Sequence, residues 1–202
     1  MELFLVRHGQ SVGNIMMDQD LPDSPLTELG LRQAERAAAY LSRRSITRII
    51  SSPLIRALQT ARPLANAIAQ PIEVWLELHE HRKEPSCKGA TRAELLGVYP
   101  EALLPDELEE SGWHYAGTES ETAVRRRAAA IARRLRQFRD NERLAVFAHG
   151  TLNEYLIREF LRVPVHIHVR FEQSNTGVNH FTIEGEQLRV HKLNDTVHLN
   201  AM

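Results

Sequence analysis

The chain has 202 residues, 43% of them apolar, the size and composition of one globular domain with an ordinary core. Its 25 Lys and Arg against 26 Asp and Glu leave a formal charge of −1, which excludes a whole-molecule field favouring nucleic acid or an anionic membrane, so any basic site must be local. The single cysteine, Cys87, excludes an internal disulfide, and no apolar run approaches the ~18 residues of a membrane span.

Met1-Glu2 passes straight into the apolar run Leu3-Phe4-Leu5-Val6 without a basic leader, and the expectation is a soluble, cytoplasmic protein whose first buried strand is that run. A helix follows, with Thr27 as N-cap and Leu31, Ala34, Ala38 and Leu41 at spacings of three and four. Ile46 to Ile50 reads as a second strand. Ser52-Pro53 reads as N-cap and first position of a second helix with the stripe Leu54, Ala57, Leu58, Ala61, Leu64 and Ile68, kinked at Pro63. Pro71 to Trp75 is a third strand. Residues 79–118 lack a sustained period and read as a lid or substrate-wall excursion, with short helical pieces near Arg92 to Leu96. Val124, Ala128, Ile131, Leu135 and Phe138 mark the clearest helix. The arginines from Arg125 to Arg139 are flanked by Glu119, Glu121, Asp140 and Glu142 and read as its solvated face. Leu144 to Phe147 is a fourth strand, Thr151 to Phe160 a helix, and Val178 to Ile183 with Leu188 to Val190 a hairpin turning at Glu184-Gly185. Strands alternating with helices predict an α/β fold, a three-layer α/β/α sandwich with a mostly parallel central sheet, in one domain spanning 1–202.

Four chemically loaded residues fall just beyond strand ends: Arg7-His8-Gly9 after the first, Arg56 after the second, Glu80 after the third and His149 after the fourth. In an open parallel sheet those ends form the ligand cleft, so the four are expected to converge. An imidazole beside an obligatory cation suits attack on a phosphate. The arginine attracts the anion and holds the histidine neutral. His8 is thus the expected nucleophile, forming a phosphohistidine, and Arg7 and Arg56 the expected clamp on the non-bridging oxygens. His149 is expected to donate to the same oxygens, Gly150 to open a helix whose free N–H groups face the anion, and Asn14 to add one neutral donor. Glu80 is the expected proton donor to the leaving alcohol and later the base for water, with Glu77 and Glu84 as open alternatives.

The blocks Leu5-Val6-Arg7-His8-Gly9-Gln10-Ser11 with Asn14, Pro25-Leu26-Thr27-Glu28-Leu29-Gly30, Ser51-Ser52-Pro53-Leu54-Ile55-Arg56-Ala57-Leu58-Gln59-Thr60-Ala61, Leu78-His79-Glu80 and Val146-Phe147-Ala148-His149-Gly150 stand in one order over residues 3 to 151. In them the chain resembles the histidine phosphatase superfamily, the phosphoglycerate mutase-like clan. The resemblance implies a phosphohistidine at His8, a phosphate pocket of Arg7, Asn14, Arg56 and His149, and neither metal nor other cofactor. It also aligns Gly117-Thr118-Glu119-Ser120 with the family's Gly-Glu-Ser block, here with an inserted threonine. The chain departs from the pattern after Glu80, where family members carry an aromatic residue and two glycines and only Gly89 matches. That segment brings His81, Arg82, Lys83 and Lys88 toward the expected mouth, suiting a substrate with a second negative group.

The mutase branch carries a large insertion after the acid that this chain lacks, so phosphoryl transfer to water is favoured, with mutase-type transfer and a non-turnover phospho-ligand binder as alternatives. The expected partner is a small phosphorylated metabolite, not nucleic acid or membrane; oligomeric state is left open. His166, His168, His180, His191 and His198 read as strand or surface residues without a catalytic part.

Overall fold

A computed structural model describes residues 1–16, 23–83 and 86–200. In chain order the elements are β1 (Glu2–Arg7), α1 (Val12–Ile15), α2 (Glu28–Leu41), β2 (Arg48–Ser51), α3 (Ile55–Ile68), β3 (Ile72–Val74), β4 (Ser86–Lys88), α4 (Arg92–Val98), β5 (Ala102–Leu103), β6 (His114–Ala116), α5 (Glu121–Leu135), β7 (Arg143–Ala148), α6 (Gly150–Phe160), β8 (Val178–Glu184) and β9 (Gln187–Asp195). Among the described residues seven strands form one sheet in the order β5-β3-β2-β7-β1-β8-β9. The pairings from β5 to β1 are parallel, and β8 and β9 join antiparallel.

The alternation of side chains along the two central strands explains the layering. Leu3 and Leu5 of β1, with Leu144, Val146 and Ala148 of β7, pack with Val124, Ala128, Ile131 and Leu135 of α5 and Leu152 and Leu156 of α6. Phe4, Val6, Ala145 and Phe147 point the other way, onto Ala38 and Leu41 of α2 and Leu58, Ala61 and Leu64 of α3. A strand buried on both faces has no polar side to show, so its sequence is an unbroken apolar run. Crossovers that cover both faces then generate the α/β/α sandwich.

Several local expectations need correction. Thr27 caps α2, its Oγ1 accepting from Gly30 N at 3.0 Å, but Leu31 is exposed and the buried face is Gly30, Ala34, Ala37, Ala38 and Leu41. The second helix starts at Ile55 after Leu54, two residues later than Ser52-Pro53 suggests; the Ser52 hydroxyl accepts Leu54 N–H at 3.3 Å ahead of the helix and also meets His149 Nε2 at 2.7 Å. Its buried face takes Thr60 and Ala65, while Ile68 is only half-buried, and it runs unbroken through Pro63. Residues 79–118 are more regular than their composition suggests. They contribute α4, an edge strand β5 on β3, and a separate two-stranded sheet of β4 and β6.

The loop after β1 is pinned onto the first turn of α2. A Cβ added at Gly30 would lie 2.0 Å from Gln10 O, and one at Gly9 2.6 Å from Gly30 O. Only hydrogen fits on either side of that contact. Gly9 N also donates to Thr60 Oγ1 at 3.0 Å, which ties the loop to α3. The residue so fixed is His8. Among the described residues no helix is long and apolar enough to cross a membrane.

Candidate active site

The three adjacent strands β2, β7 and β1 deliver their carboxyl ends side by side, bringing Ser52, His149 and His8 to one rim. His8 is 3% exposed; its Nδ1 lies 2.7 Å from Gly9 O, so Nδ1–H donates to that carbonyl and Nε2 keeps its lone pair. Burial, then the charges of Arg56 and Arg7, hold its pKa well below the ordinary 6.5, so the ring is neutral at physiological pH. The His149 ring centroid is 5.2 Å away. His149 is fully buried and likewise lowered well below 6.5, by burial first and then by Arg56. Its Nε2 meets Ser52 Oγ at 2.7 Å, and its Nδ1 is buried without a hydrogen-bond partner.

Both arginines are held in place rather than left free. Arg7 Nη1 donates to Gln173 O at 2.6 Å, and its Nε is buried without a partner. A Cβ at Gly150 would lie 3.3 Å from that Nε, a tight approach, so the glycine lets the guanidinium lie close across the helix end. Arg56, in the first turn of α3, stands 3.9 Å from Asp23, whose Oδ1 accepts Ile55 N–H at 2.8 Å. Burial lowers the pKa of both guanidinium groups, in Arg56 against the pull of Asp23 and Glu80. Burial also raises Asp23 to about 6, Arg56 opposing.

Glu80 reaches the same rim from the segment after β3. Its carboxylate accepts His81 N–H at 2.8 Å, Leu152 N–H at 3.1 Å and Thr151 N–H at 3.2 Å, so it lies against the N-terminus of α6. Glu77 points away, paired with Arg134 on α5. Glu84 lies outside the described residues. Asn14 is exposed, its Oδ1 accepting Ser11 N–H at 3.1 Å and Asn175 Nδ2–H at 3.2 Å, which leaves Nδ2 for an anion. A cleft of about 510 Å³ opens along Arg7, Glu80, Gly150, Thr151, Arg170 and Gln173.

The structure therefore brings His8, Arg7, Arg56, His149, Gly150, Glu80 and Asn14 to one end of the sheet. Of the basic residues expected at the mouth, His81 and Lys83 line a second groove that shares Thr151, Glu154 and Arg170 with this cleft. Arg82 lies 5.1 Å from the Tyr115 ring centre, and Lys88 lines a separate cleft with Asp23 and Tyr99. Sequence reasoning missed Asp23, Thr60 and the 173–177 loop, in which Gln173 O holds Arg7 and Asn175 Nδ2 donates to His8 O at 3.1 Å.

His79 carries a pH signature. Its ring lies tilted against Trp113 with centroids 5.1 Å apart and its Nδ1–H donates to Glu80 O at 2.7 Å; burial and then Arg127 push its pKa down to about 4. The unfolded chain takes up that proton from about pH 6.5 downward and the folded chain does not, so the fold loses stability as pH falls from 6.5 to 4, by about 3 kcal/mol in full. Asp23 works in the opposite sense between its ordinary 3.8 and about 6. We predict that His79→Gln loses roughly 2 kcal/mol less than the parent between pH 7 and pH 4.5 in denaturant titrations. Parallel stability curves would contradict this.

Comparison with known proteins bears on the family and the fold. The family model for the histidine phosphatase superfamily (branch 1) matches residues 3–196. A protein of Yersinia pestis (strain Pestoides F) named "Probable phosphoglycerate mutase GpmB" is 28% identical over 188 residues, covering 89% of this chain and 83% of that one. The solved structure of Bacillus stearothermophilus YhfR superposes with a TM-score of 0.75 at 24% identity, covering 98% of both chains. A mycobacterial glucosyl-3-phosphoglycerate phosphatase in complex with VO3 superposes with a TM-score of 0.68 at 25% identity, covering 96% of this chain and 99% of that one.

Proposed function

The chain belongs to the histidine phosphatase superfamily, branch 1, and from that premise we propose that it is a phosphomonoester hydrolase working through a phosphohistidine on His8, without a metal, on a small phosphorylated metabolite. The observation that carries the reading is the His8 tautomer: Nδ1–H is committed to Gly9 O at 2.7 Å, so the lone pair is on Nε2, beside two arginines.

Chemically, Nε2 attacks phosphorus while the P–O bond to the leaving alcohol breaks. Arg7 and Arg56 hold the non-bridging oxygens, a preorganised clamp worth ~10²–10³ in rate per donor. The assignment that lets His149 join them through Nδ1 has Ser52 Oγ, which accepts Leu54 N–H at 3.3 Å, donating its hydrogen to Nε2, with the ring proton on Nδ1. Glu80, as the acid, gives its proton to the departing oxygen. It then takes one from the water that attacks phosphorus and breaks the Nε2–P bond. Net, one water cleaves one ester and His8 is regenerated. Residues 79–118, through β4 and β6, supply a wall beside Arg56, bringing Cys87 and Tyr115 near that guanidinium.

The test is hydrolysis of p-nitrophenyl phosphate with and without a chelator. Turnover that releases inorganic phosphate and is indifferent to chelator is expected; turnover abolished by chelation and restored by a divalent ion would overturn the metal-independent route. The name of the Yersinia relative favours a second reading, return of the phosphoryl group to a sugar-acid hydroxyl. Isomerisation of a phosphoglycerate without phosphate release would select it.

A further inference from the structure

Arg127 sits on α5 in a run of arginines that reads as a solvated helix face, yet its side chain is only 12% exposed. Nε and Nη2 donate to the two carboxylate oxygens of Glu119 at 2.9 and 2.6 Å, and Nη1 donates to the backbone oxygens of Glu77 at 2.7 Å and His79 at 2.8 Å. Glu119 is in turn built into the next stretch of backbone. Its N–H donates to Arg82 O at 2.7 Å, and its carbonyl accepts His81 Nε2–H at 2.9 Å. Residues 77 and 79 are thus gripped by Arg127, residues 81 and 82 by Glu119, and the two grips are joined by a bidentate ion pair whose carboxylate is 3% exposed. The one residue between them is Glu80.

We infer that the Arg127–Glu119 pair is a positioning device that aims the Glu80 carboxyl at the leaving oxygen; the inference rests on the phosphatase reading above. Arg127 touches no reacting atom. The pairing matters chemically as well as mechanically, because a lone buried cation here would add a charge facing His79 and His149, both of which it already holds down. Glu119 cancels most of that charge, and Arg127 keeps Glu119 ionised against the cost of burial.

A proton donor that has slipped by an ångström harms some substrates and not others. A leaving group that departs as a stable anion needs no proton, whereas a basic one does, so the effect of Arg127 shows in the dependence of kcat/KM on leaving-group basicity. The experiment compares the parent, Arg127→Met and Glu119→Gln on a graded series of aryl phosphates from p-nitrophenyl to unsubstituted and alkyl-substituted phenyl. The parent is expected to vary little along the series. Arg127→Met is expected to lose about 10²-fold on the most basic leaving group and less than about threefold on p-nitrophenyl phosphate. Glu119→Gln, which keeps both backbone bonds of Arg127, is expected to fall between, and it carries the test if Arg127→Met does not fold. Equal proportional losses along the series, in whichever variant folds, overturn the positioning role and leave the phosphatase reading standing. Absence of turnover of every aryl phosphate by the parent overturns both.

Discussion

His8→Ala is expected to lose at least about 10⁴-fold in turnover of p-nitrophenyl phosphate and to form no acid-labile, alkali-stable phosphoryl adduct in a rapid quench, while the parent labels at this residue. The reason lies in how little else in the cleft can take its place. Among the described residues His149 is the other buried imidazole within ring contact, and its Nε2 faces Ser52. The loop itself should survive, since Gly9 N still has Thr60 Oγ1 and His8 N–H still has Ala148 O at 3.0 Å. The variant is therefore expected to bind inorganic phosphate through Arg7, Arg56 and His149 without turnover. Retention of more than a hundredth of the parent rate by a folded His8→Ala would remove this residue as nucleophile. Loss of activity together with loss of phosphate binding would point to a collapsed site instead.

The parts of the molecule that were legible in the chain are those where local pattern and tertiary fate coincide. β1 and β7 are buried on both faces, so each is a bounded apolar run, and the residue after each run must be at the rim. Thr27 caps its helix by accepting Gly30 N–H, and the same hydroxyl donates to Gln10 Oε1 at 2.9 Å. Ser52 reads as a cap, yet its hydroxyl accepts Leu54 N–H ahead of a helix that begins only at Ile55, and the same hydroxyl meets a buried imidazole 97 residues away. Asp23 and the 173–177 loop left no local signal: what they contribute are a carboxylate capping a helix 32 residues on, a backbone carbonyl and an amide, contacts set only by the folded path. Arg127 was hidden among arginines that do face solvent, and only its place on α5 opposite residues 77 to 79 separates it from them.

Arg56 is where charge and stability arguments meet. Arg56→Lys is expected to lower kcat/KM about 10²–10³-fold, because an ammonium keeps the charge but not the planar fork that reaches two phosphate oxygens at once. Arg56→Met is expected to lose more in activity, yet less in stability than the 3–5 kcal/mol typical of an orphaned buried ion. The difference comes from Asp23. With Arg56 present its pKa is already about 6, and Arg56 is the largest influence opposing the rise. Removing that cation pushes Asp23 higher still, so at neutral pH it takes a proton and no buried charge is stranded. Its bond from Ile55 N–H survives protonation, and α3 keeps its start. Asp23→Asn in the Arg56→Met background should then change stability by little, whereas Asp23→Asn alone leaves Arg56 without the carboxylate and should weaken the fold more. A double-mutant cycle measured by denaturant unfolding at pH 7 reads this coupling directly. Additive effects of the two substitutions would mean that the 3.9 Å pair is not felt, and an Arg56→Lys enzyme with more than a tenth of the parent kcat/KM would take Arg56 out of the phosphate clamp.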